Sequence, residues 1–269
     1  MAGWRFWIDR GGTFTDVVAV SPEGRLTVRK VLSVQPDRPG DPAVGAIRDL
    51  LGVAEGDALP GERIAEVRLG TTVATNALLE RRGAPVLLLI NRGLADLLPI
   101  GDQHRPDLFA LRIVKPDPLH DRVIEVGGRL AADGAEVEPL VLDAALEAVL
   151  LRARAAGIAS CAVALLHAVR NPAHERRLGE RLAQLGFAPV VLSHRVSAAP
   201  RLVPRGQTTV AEAAVAPILG AYLEQVRAAL GPSCRLRVMQ SSGGLADPGQ
   251  LLAKDTILSG PAGGMVGAV

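Results

Sequence analysis

The sequence predicts an α/β fold that opens with an antiparallel three-strand meander. Strand candidates at residues 4–9, 14–20 and 26–34 are separated only by Gly11-Gly12 and by residues 21–24, which are too few for a crossover helix. After residue 40, apolar strand-like runs alternate with helical patterns, as in a mixed sheet flanked by helices. With 48% hydrophobic residues in 269 positions, the chain can bury the core of one large or two modest domains.

Local signals place the elements that follow the meander. Asp41 is the expected N-cap of a helix with Pro42 at its first position, and Gly52 ends that helix. A short strand at 67–69 comes next, then the turn GTT and a helix, ATNALLERRG, that Gly83 stops. PVLLLI is a fully apolar strand, so the meander leads into strand–helix units.

The rest of the chain continues this alternation. Asp133-Gly134 is the strongest short-range hairpin signal. Prolines and a glycine collect at 197–207, which predicts a soft boundary. The other expected elements are helices at 143–156 and 173–185, strands at CAVALLH and PVVLS, one long helix at 208–230 despite Pro217, a strand at RLRVMQ and a turn at SSGGLADPG.

Composition argues against several classes of partner. The net charge is +2 and aromatic residues make up 3% of the chain, so neither a basic patch nor base-stacking side chains indicate nucleic acid. No apolar segment approaches the roughly 20 residues that span a bilayer, and the N-terminus lacks a signal-type pattern. Cys161 lies in an apolar run typical of a buried thiol, and Cys234 is its only possible disulfide partner. We therefore expect a cytoplasmic protein that binds neither nucleic acid nor membrane.

The stretch FWIDRGGTFTDVVAV carries the main chemical signal. A strand–Gly–Gly–strand hairpin lets backbone amides converge on phosphate oxygens without side-chain obstruction. Asp9 could hold Mg²⁺ through water, and the hydroxyls of Thr13 and Thr15 could donate to phosphoryl oxygens. The chain has no G-x-x-x-x-G-K-[ST] motif, and the turn leads into a strand, which argues against a dinucleotide fingerprint. The alternative is an ordinary hairpin with polar turn residues.

Longer blocks extend this signal to a family resemblance. DRGGTFTD resembles the first phosphate loop of the actin and sugar-kinase ATPase superfamily. The following blocks, in this order, resemble those of the hydantoinase A and 5-oxoprolinase family: IDRGGTFTDVVAV, GTTVATNALLERRGAP, IGDQHRPDLFAL, SHRVS, LVPRGQTTV, MQSSGGL and TILSGPAGGMVGAV. Arg10, Leu69 and LVPRGQTTV are more similar to 5-oxoprolinases than to hydantoinases. The sequence departs from the family pattern at Arg195, in GLAD at 93–96 and at 212–214.

The resemblance implies an activity and an architecture. Family members of this kind open 5-oxo-L-proline to L-glutamate with ATP hydrolysis, using Mg²⁺ and a hydantoinase B-like region or subunit, and we expect a homo-oligomer. The implied fold is an actin-like ATPase lobe, with an N-terminal domain at 1–200 and the beginning of a hydantoinase A core domain at 201–269. A second D-x-G-G-T loop is expected in such enzymes and does not occur at 17–269. We therefore expect the chain to be the N-terminal part of a longer ATPase and to be inactive alone.

The resemblance also implies roles for individual residues. Asp9 and Asp16 are expected to be catalytic, with Asp9 the metal ligand. The expected nucleotide-binding positions are Gly11, Gly12, Thr13, Thr15, Gly260, Gly263 and Gly264. The expected substrate or phosphate positions are Thr71, Thr72, Asn76, Ser241, Ser242 and Gly243. The GTT turn opens a helix whose free amides suit an anion, although its threonines could simply be N-caps.

Other residue patterns favour no additional chemistry. The five histidines, among them His104 and His194, form no metal-like pair, and neither cysteine has an identifiable base. Alternative functions remain: a hydantoinase, an ATP-dependent subunit of the acetone-carboxylase type, or an inactive scaffold fragment.

Overall fold

The computed structural model describes residues 3–38, 40–102, 107 and 109–268, and these form two compact units. The first unit comprises Met1–Arg82 and Ile218–Val269, and the second comprises Gly83–Pro217. The chain therefore leaves the first unit and later returns to it. The division near residue 200 does not coincide with these units and stays a prediction about the regions of the family.

The first part of the first unit confirms the predicted meander and the helix that follows it. Its elements are β1 (Trp4–Arg10), β2 (Phe14–Val20), β3 (Leu26–Leu32), α1 (Pro42–Leu51), β4 (Ile64–Thr71) and α2 (Val73–Leu79). β2 pairs antiparallel with β1 on one side and with β3 on the other. The side chain of Asp41 accepts hydrogen bonds from the amides of Ala43 and Val44, and Gly52 ends α1 in a left-handed conformation, as the local signals predict.

The second unit contains the alternating strands and helices. Its elements are β5 (Val86–Asn91), α3 (Leu97–Ile100), β6 (Arg122–Val126), β7 (Arg129–Leu130), β8 (Glu136–Glu138), α4 (Ala144–Ala155), β9 (Ser160–Ala164), α5 (Ala173–Gln184), β10 (Val190–Leu192) and α6 (Ser193–Val196). Helix α7 (Leu202–Leu230) begins in this unit and ends in the first. β7 and β8 form the hairpin expected at Asp133-Gly134.

The last elements return to the first unit. They are β11 (Arg235–Met239), β12 (Leu245–Ala246), two 3-10 turns at Pro248–Gln250 and Ala253–Thr256, and α8 (Ser259–Ala268). The first sheet has the order β12-β11-β4-β1-β2-β3, with β4 parallel to both β1 and β11. This mixed sheet confirms the predicted α/β class.

The two faces of the first sheet differ in burial. Phe6, Ile8, Val17, Val67 and Leu69 are almost completely buried. Burial of a side chain of this size contributes roughly 1.5–3 kcal/mol, so this face is the core of the unit. Because side chains alternate along a strand, the other face carries the intervening residues of the same strands, including the two aspartates of the predicted site.

The second unit has a parallel sheet with the order β10-β9-β5-β6. All six residues of β5 are buried, as expected for a strand covered on both faces. Leu87 and Leu89 pack in one hydrophobic cluster, while Val86, Leu88 and Ile90 pack in a second one on the opposite face. The predicted apolar strand PVLLLI is thus the centre of this core.

A buried polar network joins three elements of the second unit. The side chains of Arg205 and Glu175 are fully buried. Glu175 accepts hydrogen bonds from the amide of Leu165 and from Nδ1 of His194, at 2.9 and 2.6 Å. The hydroxyl of Ser193 donates to Glu175 and accepts from Arg205 Nε at 2.9 Å. Burial lowers the pKa of Arg205 and the Glu175 charge opposes this shift, while the Ser193 hydroxyl bridges the two side chains.

Two helix boundaries differ from the prediction. α2 ends at Leu79, not at Gly83, because Arg81 takes a left-handed backbone conformation (φ 55°) and the Arg82 amide bonds to the Ala77 carbonyl. α7 begins at residue 202, inside the segment predicted as a boundary. Pro204 lies in its first turn, where an amide hydrogen is not needed. A Cβ at Gly206 would lie 2.9 Å from Leu98 Cδ2, so this glycine permits close packing.

Two further observations bear on the exposed parts of the chain. Leu258, Met265 and Val266 are more than half exposed, whereas Ile257 is partly buried. No helix among the described residues is long and apolar enough to cross a bilayer. His104 and most of the stretch between Asp102 and Phe109 lie outside the described residues.

Candidate functional site

The three parallel strands of the first sheet end at one edge, and most predicted site residues follow those ends. Asp9 is in register with Gly70 between β1 and β4, and Val238 of β11 is in register with Leu69. The Gly11-Gly12 turn, the GTT turn and the SSGG turn therefore lie at the same edge of the sheet. In open α/β sheets this carboxyl edge is where ligands bind.

Asp9 and Asp16 lie directly opposite each other on β1 and β2, so their side chains share one face of the sheet. Lys30 continues this row on β3, with Nζ 2.6 and 2.7 Å from the two carboxylate oxygens of Asp16. The Lys30 ammonium offsets the repulsion between the two carboxylates. Asp9 has no such cation beside it in the pairs found among the described residues.

A cavity of about 510 Å³ opens on this face and contains six of the predicted residues. These are Asp9, Asp16, Gly243, Gly260, Gly263 and Gly264. Its apolar walls include Trp7, Val18 and Met239. A Cβ at Gly260 or Gly264 would have no atom within 4 Å, so these glycines leave open space beside the carboxylates. The cavity therefore brings together two carboxylates and an unobstructed backbone.

The cavity beside Asp9 is also lined by two residues that the sequence did not predict as site residues. Gly70 lines the cavity, and a Cβ there would lie 3.4 Å from Oδ1 of Asp9. Ser259, at the start of α8, is buried, and its hydroxyl donates to the Thr71 carbonyl at 3.1 Å. The GTT and SGPAGG blocks contained both residues, but only the tertiary contact shows their roles.

The Gly11-Gly12 turn is held by hydrogen bonds that connect it to Ser33 and Thr15. The Gly11 amide donates to the Phe14 carbonyl at 3.0 Å, and the Ser33 hydroxyl donates to the Gly11 carbonyl at 2.8 Å. Thr15 is fully buried, and its hydroxyl lies 2.8 Å from that of Ser33. The structure thus gives Thr15 a supporting role within the hairpin in place of the expected contact with phosphate, whereas Thr13 is exposed.

The GTT turn also differs from the expected anion site. Thr71 is buried, and its hydroxyl accepts a hydrogen bond from the Val73 amide. The amide and hydroxyl of Thr72 both donate to the Arg10 carbonyl, at 3.0 and 3.2 Å. Because these donors are already engaged and α2 has seven residues, the turn supports the hairpin at Gly11-Gly12 more than it offers a separate anion site. Asn76 donates to the Thr72 hydroxyl, and a Cβ at Gly12 would lie 3.2 Å from its Nδ2.

The SSGG turn is anchored to the segment before α8. The Ser241 hydroxyl donates to the Asp255 carbonyl at 2.8 Å and accepts from the Leu258 amide at 3.0 Å. Ser242 is exposed. Gly243 has a left-handed conformation (φ 83°), and a Cβ there would lie 3.0 Å from Val266 Cγ2. Ser241 therefore positions α8, while Gly243 permits the turn to border the cavity.

Arg10 clamps the end of β1 from the buried side of the sheet. Its Nε lies 3.3 Å from Oδ2 of Asp41, whose side chain is 4% exposed. Its guanidinium lies 4.8 Å from the centre of the Tyr222 ring on α7, within cation–π distance. Burial and the nearby Asp41 carboxylate raise the pKa of Tyr222, so this phenol is neutral. Arg10 is thus held by its side chain, and its carbonyl is held by the hydrogen bonds from Thr72.

We expect Arg10→Ala to lower the free energy of unfolding by about 1–3 kcal/mol, because the nearly buried Asp41 carboxylate loses its charged partner. It should also speed hydrogen exchange of the amides of Gly11 and Thr72. Urea unfolding and amide exchange measured on the same samples check both effects.

Tyr222→Phe is the matched control for the Arg10 clamp. The Tyr222 hydroxyl lies near the Asp41 carboxylate but makes no hydrogen bond of good geometry among the described residues, and phenylalanine keeps the ring face for the guanidinium. This variant should unfold with wild-type or slightly higher stability. A loss equal to that of Arg10→Ala would contradict the clamp as described.

The donor groups fit a weakly held magnesium ion. Among the described residues no group of three or more histidine, cysteine or acidic side chains is placed to hold a metal. Mg²⁺ usually keeps several waters and binds one or two carboxylates together with substrate phosphates. Asp9 and Asp16 can provide the two carboxylates. Burial raises the pKa of Cys161 to about 12 and that of Cys234 to about 11, which disfavours the reactive thiolate form of both.

Comparison with protein families decides the relationship. A model described as the hydantoinase/oxoprolinase N-terminal region matches residues 5–186, and one described as hydantoinase/oxoprolinase matches residues 205–269. The chain belongs to the hydantoinase/oxoprolinase family. The resemblance drawn from the sequence blocks is therefore confirmed.

Relatives in this family are much longer than this chain. The 5-oxoprolinase of Saccharomyces cerevisiae is 35% identical over 300 residues, covering 98% of this chain and 23% of the yeast protein. Caprolactamase subunit alpha of Pseudomonas jessenii is 36% identical over 277 residues, covering 96% of this chain and 38% of its own length. This chain thus spans less than two fifths of either relative.

Solved structures share the fold. The crystal structure of ATP-dependent caprolactamase from Pseudomonas jessenii matches 96% of this chain and 39% of its own, with a TM-score of 0.76 and 33% identity. Nucleotide-free acetone carboxylase also has a TM-score of 0.76, over 98% of this chain and 40% of its own. Its 24% identity shows the fold alone.

Proposed function

We propose that this protein is the nucleotide-binding N-terminal portion of an ATP-dependent 5-oxoprolinase, which opens 5-oxo-L-proline to L-glutamate. The observation that carries the proposal is the cavity in which Asp9 and Asp16 face the glycines of α8 at the carboxyl edge of the sheet. The 5-oxoprolinase of yeast and the ATP-dependent caprolactamase support the choice of nucleotide and of a cyclic amide.

The residues of the cavity fit MgATP. Asp9 and Asp16 line the cavity and are suited to hold Mg²⁺ through water. The Gly11-Gly12 turn lies next to Asp9 in the chain but outside the cavity lining, and because the Gly11 amide bonds to the Phe14 carbonyl, the proposed phosphate contact is the rest of the turn. Gly260, Gly263 and Gly264 allow the backbone of α8 to approach the nucleotide closely. When bound, MgATP supplies the phosphoryl group that makes the unreactive amide carbonyl susceptible to attack. Thr13 at the exposed turn remains a proposed phosphate contact.

The protein's own residues provide preorganisation. Lys30 fixes the Asp16 carboxylate, Ser33 fixes the Gly11 carbonyl, and Thr72 fixes the Arg10 carbonyl. Donors and charges held in place before the reaction need no rearrangement when charge develops, which is the main source of electrostatic catalysis. The hairpin is therefore built to place Asp9 while leaving it exposed in the cavity.

We further propose that the first unit is a lobe of the actin-like ATPase fold. An antiparallel meander continued by parallel strands, with a carboxylate before its first turn, supports this assignment. The division into regions at 1–200 and 201–269, assembly into a homo-oligomer and a cytoplasmic location stay predictions. A hydantoinase B-like partner is proposed because the caprolactamase relative is described as a subunit alpha.

A larger lactam is the second candidate substrate. This chain covers 38% of caprolactamase subunit alpha at 36% identity, whereas it covers 23% of the yeast 5-oxoprolinase at 35% identity. Steady-state ATP hydrolysis by the full-length enzyme, measured with 5-oxo-L-proline, caprolactam, a hydantoin and acetone, distinguishes these readings. Stimulation by 5-oxo-L-proline above the others is expected. Stimulation only by acetone would contradict a cyclic amide substrate.

We expect the 269-residue chain alone to bind MgATP weakly and to show no ATP hydrolysis that depends on 5-oxo-L-proline. Phosphoryl transfer requires the nucleotide to be held from both sides at once, and residues 17–269 contain no second D-x-G-G-T loop. The check is a steady-state assay of the purified chain, with Asp9→Asn to identify contaminating ATPases. Robust turnover that is stimulated by 5-oxo-L-proline and lost in Asp9→Asn would show that the chain already contains a complete site.

A further inference from the structure

The open face of the first sheet, opposite its core, exposes apolar side chains. The strand register places two apolar pairs of β2 and β3 next to each other on this face, and we call them the apolar strip: Val18 with Val28, and Val20 with Leu26. Leu26 and Val28 are 64% and 61% exposed, so none of the described elements covers them. Beyond Lys30, the exposed Phe14 and Leu32 form a further pair on the same face. Contiguous exposed apolar surface rimmed by polar residues is typical of an interaction site.

Four arginines lie beside the apolar strip on the same face, and we call them the arginine group. Two rows of the register across β1, β4 and β11 contain them: Arg5, Glu66 and Arg235 in one row, and Trp7, Arg68 and Arg237 in the other. Glu66 pairs with Arg68, whereas the other three arginines make no ion pair among the described residues. The group is therefore strongly positive in a chain whose net charge is only +2. Because its members are far apart in the sequence, no charge run predicts it.

Trp7 orders two members of the arginine group. Cζ of Arg5 and Cζ of Arg68 lie 5.8 and 5.5 Å from the centre of the Trp7 ring, within cation–π distance. Arg68 Nε also donates to the Glu66 carboxylate at 2.9 Å. Guanidinium groups that are held in place before binding lose less conformational entropy when they bind, and their planar fork matches a carboxylate. The arginine group is therefore suited to carboxylate side chains of another protein.

The apolar strip and the arginine group are close enough for one helix to contact both. Neighbouring strands are about 4.8 Å apart, so β1 and β4 lie about 5 and 10 Å from β2. A helix with its side chains is about 10–12 Å wide. A helix packed on the strip can therefore reach Arg5 and Arg68 with acidic side chains along one edge. Helices are also the elements that cover sheet faces in α/β proteins.

We propose that the open face binds an amphipathic helix of a partner protein, with apolar residues on the strip and aspartate or glutamate residues against the arginine group. Charge complementarity identifies an acidic partner. A second copy of this chain would instead bring four further arginines to the interface. Nucleic acid would match the charge but leave the apolar strip uncovered, and the Trp7 ring already contacts two guanidinium groups in place of a base. Binding of the helix requires no nucleotide.

Fluorescence anisotropy with two labelled helical peptides tests this surface. Both peptides have about 18 residues, enough for a helix in water, and carry leucine on one face; glutamate flanks the leucines in one peptide and lysine in the other. We expect the 269-residue chain to bind the glutamate peptide saturably, more weakly at high salt, and not to bind the lysine peptide. Arg5→Glu should weaken binding roughly tenfold or more, because it sets like charges against each other. Val28→Thr keeps the β-branched shape and should weaken binding by removing apolar contact.

Arg177→Glu is the matched control, since Arg177 is an exposed arginine on α5 of the second unit. It should bind the glutamate peptide as wild type does, and thermal melting checks that each variant folds. The proposal is overturned if the two peptides bind equally, if the glutamate peptide does not bind saturably, or if folded Arg5→Glu and Val28→Thr both bind it as wild type does. It is also overturned if a single-stranded oligonucleotide displaces the peptide and binds more tightly, or if sedimentation velocity shows a dimer that Val28→Thr dissociates.

Discussion

Asp9→Asn is expected to lower ATP turnover of the full-length enzyme by about a hundredfold or more while leaving its stability nearly unchanged. Asp9 is an exposed residue at the end of β1, faces the cavity, and makes no ion pair among those of the described residues. Its charge therefore serves a ligand more than packing. Loss of one preorganised electrostatic group commonly costs on the order of a hundredfold in rate. Steady-state kinetics and thermal melting of the same preparation separate the two effects.

Asp37→Asn is the matched control for this variant. Asp37 is an exposed aspartate of the same unit and lies outside the cavity lining. The same chemical change there should leave turnover and melting at wild-type values. Turnover of Asp9→Asn within about twofold of wild type, a difference worth only a few tenths of a kcal/mol, would remove Asp9 from the catalytic site.

Arg205→Met is expected to have the largest effect on stability, lowering the free energy of unfolding by about 3–5 kcal/mol. Arg205 is fully buried and donates at 2.9 Å to Ser193 Oγ and at 2.6 Å to the Leu165 carbonyl. Methionine fills a similar volume, so packing changes little. What is lost is the charge that compensates the buried Glu175 carboxylate. Urea unfolding followed by circular dichroism measures the change.

Two variants show whether the loss comes from an unpaired buried charge. Arg201→Met removes an exposed arginine at the start of the same segment and should change stability by less than about 0.5 kcal/mol. Adding Glu175→Gln to Arg205→Met should recover part of the loss, because the carboxylate no longer needs a cation. A purely additive double variant would contradict the coupling between Arg205 and Glu175.

Short-range signals predicted the elements whose ends are set by local chemistry. Asp41, Pro42 and Gly52 define α1 through contacts within a few residues, and the meander is defined by turns too short for any other connection. The start of α7 was predicted wrongly because the meaning of Gly206 depends on Leu98, more than 100 positions earlier in the chain. The end of α2 was predicted wrongly because Arg81 takes a conformation usually left to glycine.

In the candidate site, too, the features set by adjacent residues could be predicted from the sequence, and those set by tertiary contacts could not. Asp9 and the Gly11-Gly12 turn are recognisable in one short block, because the proposed phosphate site is formed by residues adjacent in sequence. The support for that hairpin comes from Ser33, Thr72 and Tyr222, and no sequence periodicity links these residues to the turn. Thr15 shows the converse. Its hydroxyl suits phosphate by type, but the strand register turns it into the buried face.

The most direct test of the cavity beside Asp9 is paramagnetic line broadening of the chain's amide signals by Mn²⁺-ATP, a probe that detects weak as well as tight binding. We predict broadening centred on Asp9, Gly70 and Gly260, strongly reduced in Asp9→Asn and unaffected in Asp37→Asn. Broadening centred on residues outside this cavity, or equal in wild type and Asp9→Asn, would contradict the assignment of the phosphate hairpin as the nucleotide site.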